Sequence, residues 1–444
     1  MAFIRTPVPQ REANERVKDW DEVTLGLNKE DTKKEASRCL NCKKPQCVPT
    51  CPAHIDIPKF IQHVKNEEYN EAVQVILERM PLPNVCGRVC PHFCENKCVK
   101  AKKNGAVEIM EMKRSAITYA DESKIKLECA PATGKKVAVV GSGPAGLTVA
   151  YLLALKGHQV TVYEQKHKLG GMMILCIPPY RLPRDKLYED IDRIKRLGVE
   201  MKTNAKVENI VDLKKEYDAV FAGIGTLKKK TLNVPGEDLQ GVEHVIPFLE
   251  SVNTHDRRDI GKKVAVVGAG FSAMDAVRVA RRCGSEAFIV YRRSKNEMPA
   301  SPEEVEEAEA EGVTMMTLCN PTKIIGDENG KVKAIECIKM ELGEPDASGR
   351  RAPVPVPGSE FIVECDMVIQ AISQAVETDC CDGIELSKWK TLNVNEKMET
   401  NVEGIYSCGD CVTGPQSIVQ AVGDAYIAAE SMHEYLMGKA TPAN

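Results

Sequence analysis

In the middle of this chain, two short apolar runs flank a longer apolar stretch of helical character. Residues 137–140 and 159–163 predict two buried strands, and the apolar stretch between them, ending near Leu155, predicts a helix. Residues 217–226 form a further apolar strand that ends in a glycine-rich turn. Strand, helix and strand in this order predict a βαβ unit of an α/β fold.

The turn between the first strand and its helix carries a glycine pattern. Gly141, Gly143 and Gly146 form G-x-G-x-x-G, and Glu164 ends the second strand. The first glycine allows a tight turn, the second lets a pyrophosphate approach the backbone, and the third lets helix and strand pack closely. The helix N-terminus would face the phosphates, and the acid could bind a ribose hydroxyl. All these parts in register predict a dinucleotide site rather than a chance glycine-rich turn.

The same unit occurs a second time. Residues 262–268 repeat residues 135–141 letter for letter, at an offset of 127. The second fingerprint, G-x-G-x-x-A, consists of Gly268, Gly270 and Ala273. The offset places Arg292 and Arg293 just beyond the position that corresponds to Glu164. An acid repels a 2′-phosphate and arginines accommodate one, so we interpret the first copy as an FAD or NAD site and the second as an NADP site. The alternative is that both arginines belong to a solvated loop.

Other stretches predict elements around these two units. Residues 169–183, LGGMMILCIPPYRLP, contain two glycines and three prolines and predict a shaped loop. The acid-rich stretch 302–311 predicts a helix with a solvated face. Further predicted elements are a helix at 185–197, strands at 331–341 and 360–365, and a Pro-rich hairpin at 351–358. The run 366–374 resembles 217–226, and we expect it to return the chain to the first unit.

The composition narrows the possible classes of protein. A length of 444 residues suggests about three domains. The net charge of −4, with acidic and basic residues interspersed, does not indicate nucleic acid binding. No apolar run reaches the ~18 residues of a membrane span, and the N-terminus lacks a signal-peptide core, so we expect a cytoplasmic protein. The first 30 residues are polar and predict an extended arm, laid over a partner.

Eighteen cysteines are many for a cytosolic chain, and eight of them lie between residues 39 and 98. They form two groups: Cys39, Cys42, Cys47 and Cys51, then Cys86, Cys90, Cys94 and Cys98. Helices are predicted at 29–38, 57–80 and 100–119. Short spacings bring several thiolates to one point, as iron–sulfur clusters require. The alternatives are two zinc sites, which usually pair C-x2-C knuckles, or four disulfides, which conflict with the compartment.

Near the end of the chain, residues 404–410, GIYSCGD, predict an apolar strand. It ends in Gly409 and Asp410, where one carboxylate could bind a polyol. A helix is predicted at 415–432, with its N-terminus toward a flavin ring. Cys408 and Cys411 form C-x2-C, so a redox disulfide is the alternative interpretation of this turn.

The two cysteine groups, GSGPAG, the IPxxRLP loop, GAGxxA with an arginine-rich following strand, and a terminal CGD occur in that order. Together they resemble the glutamate synthase small subunit family. The same module is similar to the NADP-binding subunit of electron-bifurcating ferredoxin–NADP oxidoreductases and to the N-terminal part of dihydropyrimidine dehydrogenase. The resemblance implies a helical domain with two [4Fe–4S] clusters at 1–130 and two Rossmann-like domains. The FAD domain would comprise 131–245 and 360–444, with the NADPH domain, 246–359, inserted between them.

The resemblance also implies roles for individual residues. FAD would be held by Gly141, Gly143, Gly146, Glu164, Gly170, Gly171, Met172, Arg181, Gly409 and Asp410. NADPH would be held by Gly268, Gly270, Ser272, Ala273, Arg292 and Arg293. One cluster would be bound by Cys39, Cys42, Cys47 and Cys98, and the other by Cys51, Cys90, Cys94 and an eighth ligand. Where some members have Gln or Glu, this chain has Lys113, so Cys86, Glu108 or Glu111 would have to be that ligand. Cys176 stands where the family often has Gly, and we expect it to pack.

These cofactors imply an NADPH-dependent flavoprotein oxidoreductase with no acid–base or nucleophilic catalytic residue. NADPH gives two electrons as a hydride and clusters accept one at a time, so a flavin must lie between them. The first hypothesis is an electron-transfer subunit working with a large partner that has its own flavin or iron–sulfur centres. The alternatives are a bifurcating ferredoxin–NADP oxidoreductase subunit, a self-sufficient sulfide dehydrogenase or homomeric glutamate synthase, and a thioredoxin-reductase-like dithiol enzyme.

Overall fold

The computed structural model describes residues 4–254, 259–347 and 349–438. A helical N-terminal part precedes two units that are each built on a parallel sheet. The α/β class predicted for the two repeated units is confirmed. Within the described ranges, no helix is long and apolar enough to cross a membrane.

The helical part is made of short helices separated by tight turns. They are α1 (Ala13–Arg16), α2 (Lys29–Ala36), α3 (Cys47–Thr50), α4 (Ile57–Lys65), α5 (Tyr69–Leu77), α6 (Pro83–Cys86), α7 (Phe93–Asn96), α8 (Ala101–Asn104) and α9 (Ile109–Tyr119), with a 3-10 helix at Glu122–Lys124. The stretch predicted as one helix at 57–80 forms two, because the chain turns at Glu67 with a φ of 64°. The helix predicted at 100–119 is interrupted at Gly105, whose φ of 75° lies outside the helical range.

The rest of the chain forms the two sheet-based units. The first begins with β1 (Lys136–Val140), α10 (Pro144–Leu155), β2 (Gln159–Tyr163), α11 (Met172–Leu175), α12 (Arg184–Lys195), β3 (Glu200–Lys202), β4 (Ala219–Ala222) and β5 (Lys228–Lys229). The second contains β6 (Val242–His244), α13 (Val245–Thr254), β7 (Lys263–Val267), α14 (Phe271–Arg282), β8 (Glu286–Tyr291), α15 (Pro302–Ala310), β9 (Thr314–Thr317), β10 (Cys319–Gly326), β11 (Val332–Pro345), β12 (Arg351–Pro355), β13 (Phe361–Glu364) and β14 (Met367–Gln370). The last elements are β15 (Gln374–Ala375), β16 (Ile405–Ser407), α16 (Asp410–Thr413) and α17 (Ile418–Leu436). Two more 3-10 helices lie at Val211–Lys215 and Lys295–Glu297.

Both large sheets have the same parallel topology. Their strand orders are β16-β4-β1-β2-β3 and β6-β14-β7-β8-β9. In each, the strand before the glycine fingerprint lies in the centre, and the chain order reverses beside it. Open α/β sheets bind ligands beyond the carboxyl end of the strands at such a reversal. The predicted repeat is therefore present in the fold, since β1, α10 and β2 begin 127 residues before β7, α14 and β8.

Two smaller sheets complete the second unit and the connection. Strands β10, β11 and β12 are antiparallel, with β13 also paired to β11. The hairpin predicted at 351–358 is thus the edge strand β12 and the turn after it. Strands β5 and β15 pair as a short antiparallel ribbon, at which the chain leaves the first unit and returns to it.

The prediction that 366–374 returns the chain to the first unit is wrong. Strand β14 pairs in parallel with β7 and β6, so it belongs to the second sheet. The predicted boundaries therefore both lie inside the second unit, the one at 245 at the start of α13 and the one at 360 just before β13. On the pairing, we place that unit at about residues 230–373.

The N-terminal arm, expected to lie over a partner, lies over its own chain. Arg5 pairs with Glu95 of the helical part at 3.0 Å. Arg16 pairs with Glu311 of the second unit at 2.8 Å. The arm therefore joins the helical part to the second unit through the ion pairs of Arg5 and Arg16, of which the Arg16 pair is buried.

The acid-rich helix α15 has the predicted solvated face, at Glu303 and Glu306, but two acids at its ends are buried. Glu304 is buried near the start of the helix, and Glu311, just beyond its end, is buried among arginines. Arg278 and Arg282 each donate to both carboxylate oxygens of Glu311, at 2.6–3.2 Å. Burial alone would raise the pKa of Glu311, but the hydrogen bonds from these two guanidinium groups lower it to about 2.

Candidate cofactor-binding site

One cleft of about 1680 Å³ runs between the two sheet-based units and reaches the helical part. Both glycine fingerprints open into it, at the carboxyl ends of β1 and β7. The predicted residues that line it are Gly141, Gly143, Glu164, Gly171, Met172, Arg181, Asp410, Gly268, Gly270, Ser272, Arg292, Arg293 and Cys90. Gly146, Gly170, Gly409 and Ala273 are not among the residues that line it, and neither are the other seven cysteines of the two groups. The cleft thus brings both predicted nucleotide sites into one space.

The glycines of the first fingerprint separate into two kinds. A Cβ on Gly141, whose φ is 100°, would lie 2.3 Å from the carbonyl oxygen of Gly223, and one on Gly146 would lie 2.0 Å from that of Gly141. The packing of strand and helix requires these two. A Cβ on Gly143 would meet no protein atom within 4 Å, and the same holds for Gly270 in the second unit. Both face the cleft, so their bare backbone fits the close approach of a pyrophosphate at the N-termini of α10 and α14.

Glu164 fixes the first glycine loop as well as facing the cleft. Its Oε2 accepts hydrogen bonds from the amide and the hydroxyl of Ser142, at 3.1 and 2.6 Å. The Ser142 hydroxyl accepts in turn from the amide of Gly170, at 3.0 Å. The other oxygen, Oε1, accepts from the amide of Lys166 at 2.8 Å. Since a carboxylate oxygen has two lone pairs, Oε1 retains capacity for a ribose hydroxyl.

Asp410 lines the same cleft. Gly409 has a φ of 76° and packs on Ala145 of α10, which brings the end of β16 against the first fingerprint. Burial raises the pKa of Asp410 to about 6, although a hydrogen bond from the amide of Gln416 opposes the shift. Ser417 caps the N-terminus of α17 and lines the cleft beside it. A carboxylate and a helix N-terminus thus face the space next to the glycine loop.

The two arginines of the second unit have different environments. Arg292 is exposed and lines the cleft. Arg293 is buried, donates to the carbonyl of Arg351 at 2.8 Å and pairs with Asp346 at 2.5 Å. Arg350, in the turn before β12, also lines the cleft. The sequence analysis missed Arg350, and its only signal was the adjacent basic pair at the start of the predicted hairpin.

Arg181, predicted to hold FAD, bridges the two units. Its two terminal nitrogens contact Asp275 of α14 at 2.7 Å and Glu304 of α15 at 2.5 Å. Tyr180 beside it is fully buried, with the Arg282 guanidinium 3.7 Å from its ring centroid. The loop that carries both residues therefore fixes the second unit relative to the first. A flavin contact of Arg181 stays a prediction.

The eight N-terminal cysteines separate into two quartets. Electrostatic interactions link Cys39, Cys42, Cys47 and Cys98 in the first, and Cys51, Cys86, Cys90 and Cys94 in the second. The first quartet is half-exposed, whereas three cysteines of the second are buried. Among the described residues, no three His, Cys, Asp or Glu side chains are close enough to hold a single metal ion. A four-iron cluster takes one ligand for each iron, so its ligands are farther apart than those of one ion.

Lys113 lies at the second quartet, with its ammonium donating to the carbonyl oxygen of Cys86 at 2.9 Å. Burial lowers the pKa of Lys113, but the negative charges of the surrounding cysteines outweigh burial and raise it to about 12. The two candidate acids are bound elsewhere. Glu108 pairs with Arg5, and Glu111 accepts from the amide of Leu27 at 2.8 Å. Of the three candidates for an eighth ligand, Cys86 is therefore the one within the quartet.

Two other cysteine features face or flank the cleft. Cys411 is fully buried, and its thiol contacts the Ser407 hydroxyl at 3.3 Å, while burial raises the pKa of both Cys408 and Cys411. Reactive dithiols need a depressed pKa and access to solvent, so this environment favours packing over a redox disulfide. Cys176 lines the cleft and contacts the sulfur of Met172 at 3.3 Å.

Two family models match the chain, in the order of the two structural parts. Residues 16–125 match the dihydropyrimidine dehydrogenase domain II, 4Fe-4S cluster. Residues 135–425 match the pyridine nucleotide-disulphide oxidoreductase model, which is well over half of the chain. The chain belongs to this family. The 4Fe-4S domain and the nucleotide-binding oxidoreductase domain expected from the sequence are confirmed, without fixing the number of clusters.

Several known proteins are similar to this chain in sequence. The NADPH-Fe(3+) oxidoreductase subunit beta of Geobacter sulfurreducens is 42% identical, over 88% of this chain and 63% of that protein. The NADP(+)-dependent formate dehydrogenase subunit beta of Moorella thermoacetica is 41% identical, over 88% of this chain and 60% of that protein. The chain thus spans less than two thirds of the length of these two relatives. The glutamate synthase [NADPH] small chain of Escherichia coli is 32% identical, over 97% of both chains, which confirms the resemblance drawn from the motifs.

Solved structures with the same fold cover about two thirds of the chain. FprA of Mycobacterium tuberculosis in complex with NADPH aligns with a TM-score of 0.59 at 20% identity, over 69% of this chain and 85% of that one. The thioredoxin reductase of T. acidophilum aligns with a TM-score of 0.51 at 20% identity, over 68% and 98%. At this identity the likeness establishes the fold alone.

Proposed function

We propose that this chain transfers electrons between NADP(H), FAD and two [4Fe–4S] clusters, and that it does so for a partner subunit. The observation that carries the proposal is the single cleft, whose walls include Gly270 and Arg292, Gly143 and Asp410, and Cys90 of the second quartet. A nicotinamide nucleotide, a flavin nucleotide and a cluster ligand would share one space.

Residues of the two units would hold the nicotinamide and flavin nucleotides side by side in the cleft. When bound, a flavin exchanges a hydride with nicotinamide and single electrons with iron–sulfur clusters. The second unit holds NADP(H) through the loop at Gly270 and through Arg292. The first unit holds FAD through the loop at Gly143 and through Asp410. Neither set requires a catalytic acid or base, because the chain positions the groups and excludes water between them.

The cysteines would hold the iron–sulfur clusters, which would supply one-electron transfer between the cleft and the surface. We assign Cys51, Cys86, Cys90 and Cys94 to the cluster near the cleft, and Cys39, Cys42, Cys47 and Cys98 to the outer one. Burial raises the pKa of Cys47 to about 12, so metal coordination is what would keep such thiols ionised. The half-exposed outer quartet would be the point at which electrons leave or enter the chain.

A partner subunit is supported by the relatives, several of which are named as a subunit beta or a small chain. A self-sufficient enzyme, such as a sulfide dehydrogenase or a homomeric glutamate synthase, is the second candidate. A bifurcating ferredoxin–NADP oxidoreductase subunit is a variant of the first, differing in its acceptors. The first candidate is favoured because several relatives are named as subunits, and because Gly143, Asp410 and Gly270 line the cleft in positions that suit nucleotide binding.

The experiment that tests the proposal is an inventory of the purified chain, prepared without oxygen. We expect one FAD, about eight iron and about eight acid-labile sulfide per chain, for two four-iron clusters. NADPH should bleach flavin and cluster absorbance together. Two zinc ions with no sulfide, or flavin that NADPH does not reduce, would contradict the proposal.

A further inference from the structure

The outer quartet lies in a strongly basic surface. Residues 39–50 and 96–104, which carry these four cysteines, contain no acidic residue and six lysines. The lysines are Lys43, Lys44, Lys97, Lys100, Lys102 and Lys103. A local charge of this sign contrasts with the net charge of −4 of the whole chain. We call these two segments with their lysines the basic face.

Two apolar side chains are exposed within the basic face. Leu40, next to Cys39, is 60% exposed, and Val99, next to Cys98, is 54% exposed. All the lysines except Lys100 are exposed. Exposed apolar side chains within a rim of like charge are typical of a protein interface, where the rim steers the partner and the centre is desolvated.

Acidic residues near the basic face are bound elsewhere. Glu95 and Glu108 both pair with Arg5, and Glu35 pairs with Arg38. In the part of the chain that the structure describes, none of the six lysines forms an ion pair with a carboxylate. Their charge is therefore available to a partner.

We propose that the basic face docks an acidic protein surface that surrounds a one-electron redox centre of the partner. This inference rests on the proposed function, because it takes the outer quartet as the electron exit. Charge complementarity selects the occupant: six uncompensated lysines would repel a basic carrier and speed the approach of an acidic one. The exposed Leu40 and Val99 would then be covered where the two centres come closest.

Two small haem proteins of opposite charge test the inference on the holoprotein. With NADPH as donor, acidic cytochrome b5 should be reduced more slowly as NaCl is raised, whereas basic cytochrome c should be reduced faster, because salt screens attraction and repulsion alike. The reduction of menadione, a small neutral acceptor, should not depend on salt. The same salt dependence for both cytochromes would overturn the inference without any variant.

Charge reversal gives the second test. In the triple variant Lys43→Glu, Lys97→Glu, Lys102→Glu, we expect the KM for cytochrome b5 at low salt to rise about 10-fold or more and cytochrome c reduction to become faster. The control reverses three exposed lysines of the antiparallel sheet, Lys323→Glu, Lys333→Glu, Lys339→Glu, with the same change in total charge. Equal effects of the two triples would mean that net charge acts rather than the basic face. If the unmodified chain did not reduce menadione with NADPH, the proposed function would be refuted. Failure of the proposed function is therefore distinguishable from failure of the docking inference.

Discussion

At the scale of single residues, Lys113 is a position at which this chain departs from the family pattern, where some members have Gln or Glu. A buried ammonium is costly unless nearby negative charge offsets the loss of water. Here the offset comes from the four cysteines of the second quartet. The lysine therefore cannot replace a carboxylate or amide ligand, but it puts a fixed positive charge beside the second quartet, where we propose a cluster.

We predict that Lys113→Met lowers the reduction potential of one cluster. The substitution removes the charge with little change in length, and a positive charge nearby favours the more negative, reduced state of a cluster. Potentiometric titration followed by electron paramagnetic resonance measures the shift. Lys113→Arg is the control, which should stay near the unmodified potential. An unchanged potential in Lys113→Met, with full iron content, would show that the ammonium is remote from the cluster.

Arg292 and Arg293 are adjacent in sequence but have different predicted effects. Arg292→Ala should raise the KM for NADPH and leave that for NADH unchanged, because only NADPH has a 2′-phosphate. A charge-assisted bond contributes ~1.5–3 kcal/mol, so the loss should be roughly 10–100-fold. Arg293→Ala should instead destabilise the unit, since it removes the ion pair with Asp346. Steady-state kinetics with both coenzymes tests this prediction. Equal preference for NADPH and NADH in the unmodified chain would show that neither arginine selects NADPH.

At the scale of elements, the sequence predicts the repeated units correctly. It fails where strand pairing alone determines which sheet a strand joins. The offset of 127 places β7, α14 and β8 correctly, because the glycine turns fix strand and helix together. The run 366–374 was misplaced because parallel strands covered on both faces look alike in sequence, whichever sheet they join. Likewise, the acids at 304 and 311 look in sequence like those of any solvated helix. The arginines that contact them lie on distant segments of the chain. Arg16 of the arm is one such partner, and the sequence gives no signal of it.

The buried carboxylate of Glu311 yields a prediction about pH and stability. Its pKa in the folded chain is about 2, below the ordinary value of 4.5. The stabilisation is therefore fully present above about pH 4.5 and is lost as pH falls toward 2. A shift of this size corresponds to about 3 kcal/mol. Glu311→Gln should thus unfold at lower urea concentration than the unmodified chain at pH 7, and the gap should narrow below pH 4.5.

Glu306→Gln is the matched control, because Glu306 is exposed on the same helix. It should alter the urea midpoint little at any pH. A constant gap between Glu311→Gln and the unmodified chain from pH 7 to pH 3 would show that the carboxylate keeps its ordinary pKa, and that the cluster with Arg278 and Arg282 does not stabilise the fold through charge.

At the scale of the whole molecule, electrons would enter and leave at different places. The nucleotide cleft lies between the two sheet-based units, and the half-exposed quartet lies in the helical part with its basic face. The arm and the Arg181 bridge hold the second unit against the rest of the chain. A rigid path from a two-electron entry to a one-electron surface exit suits a chain whose substrate chemistry takes place on another polypeptide.

The last prediction follows from that division. Purified alone, the chain should reduce small dyes with NADPH, but it should form no glutamate from 2-oxoglutarate and glutamine and should not turn over sulfide. The cleft is lined by residues of both nucleotide sites and by Cys90, among others. In this proposal, electrons leaving the outer quartet need an acceptor that reaches the basic face. Product assays on the isolated holoprotein test this prediction, and dye reduction shows that its cofactors are bound. If the isolated polypeptide makes glutamate, or turns over sulfide as fast as it reduces dyes, the chain is a self-sufficient enzyme and the partner is unnecessary.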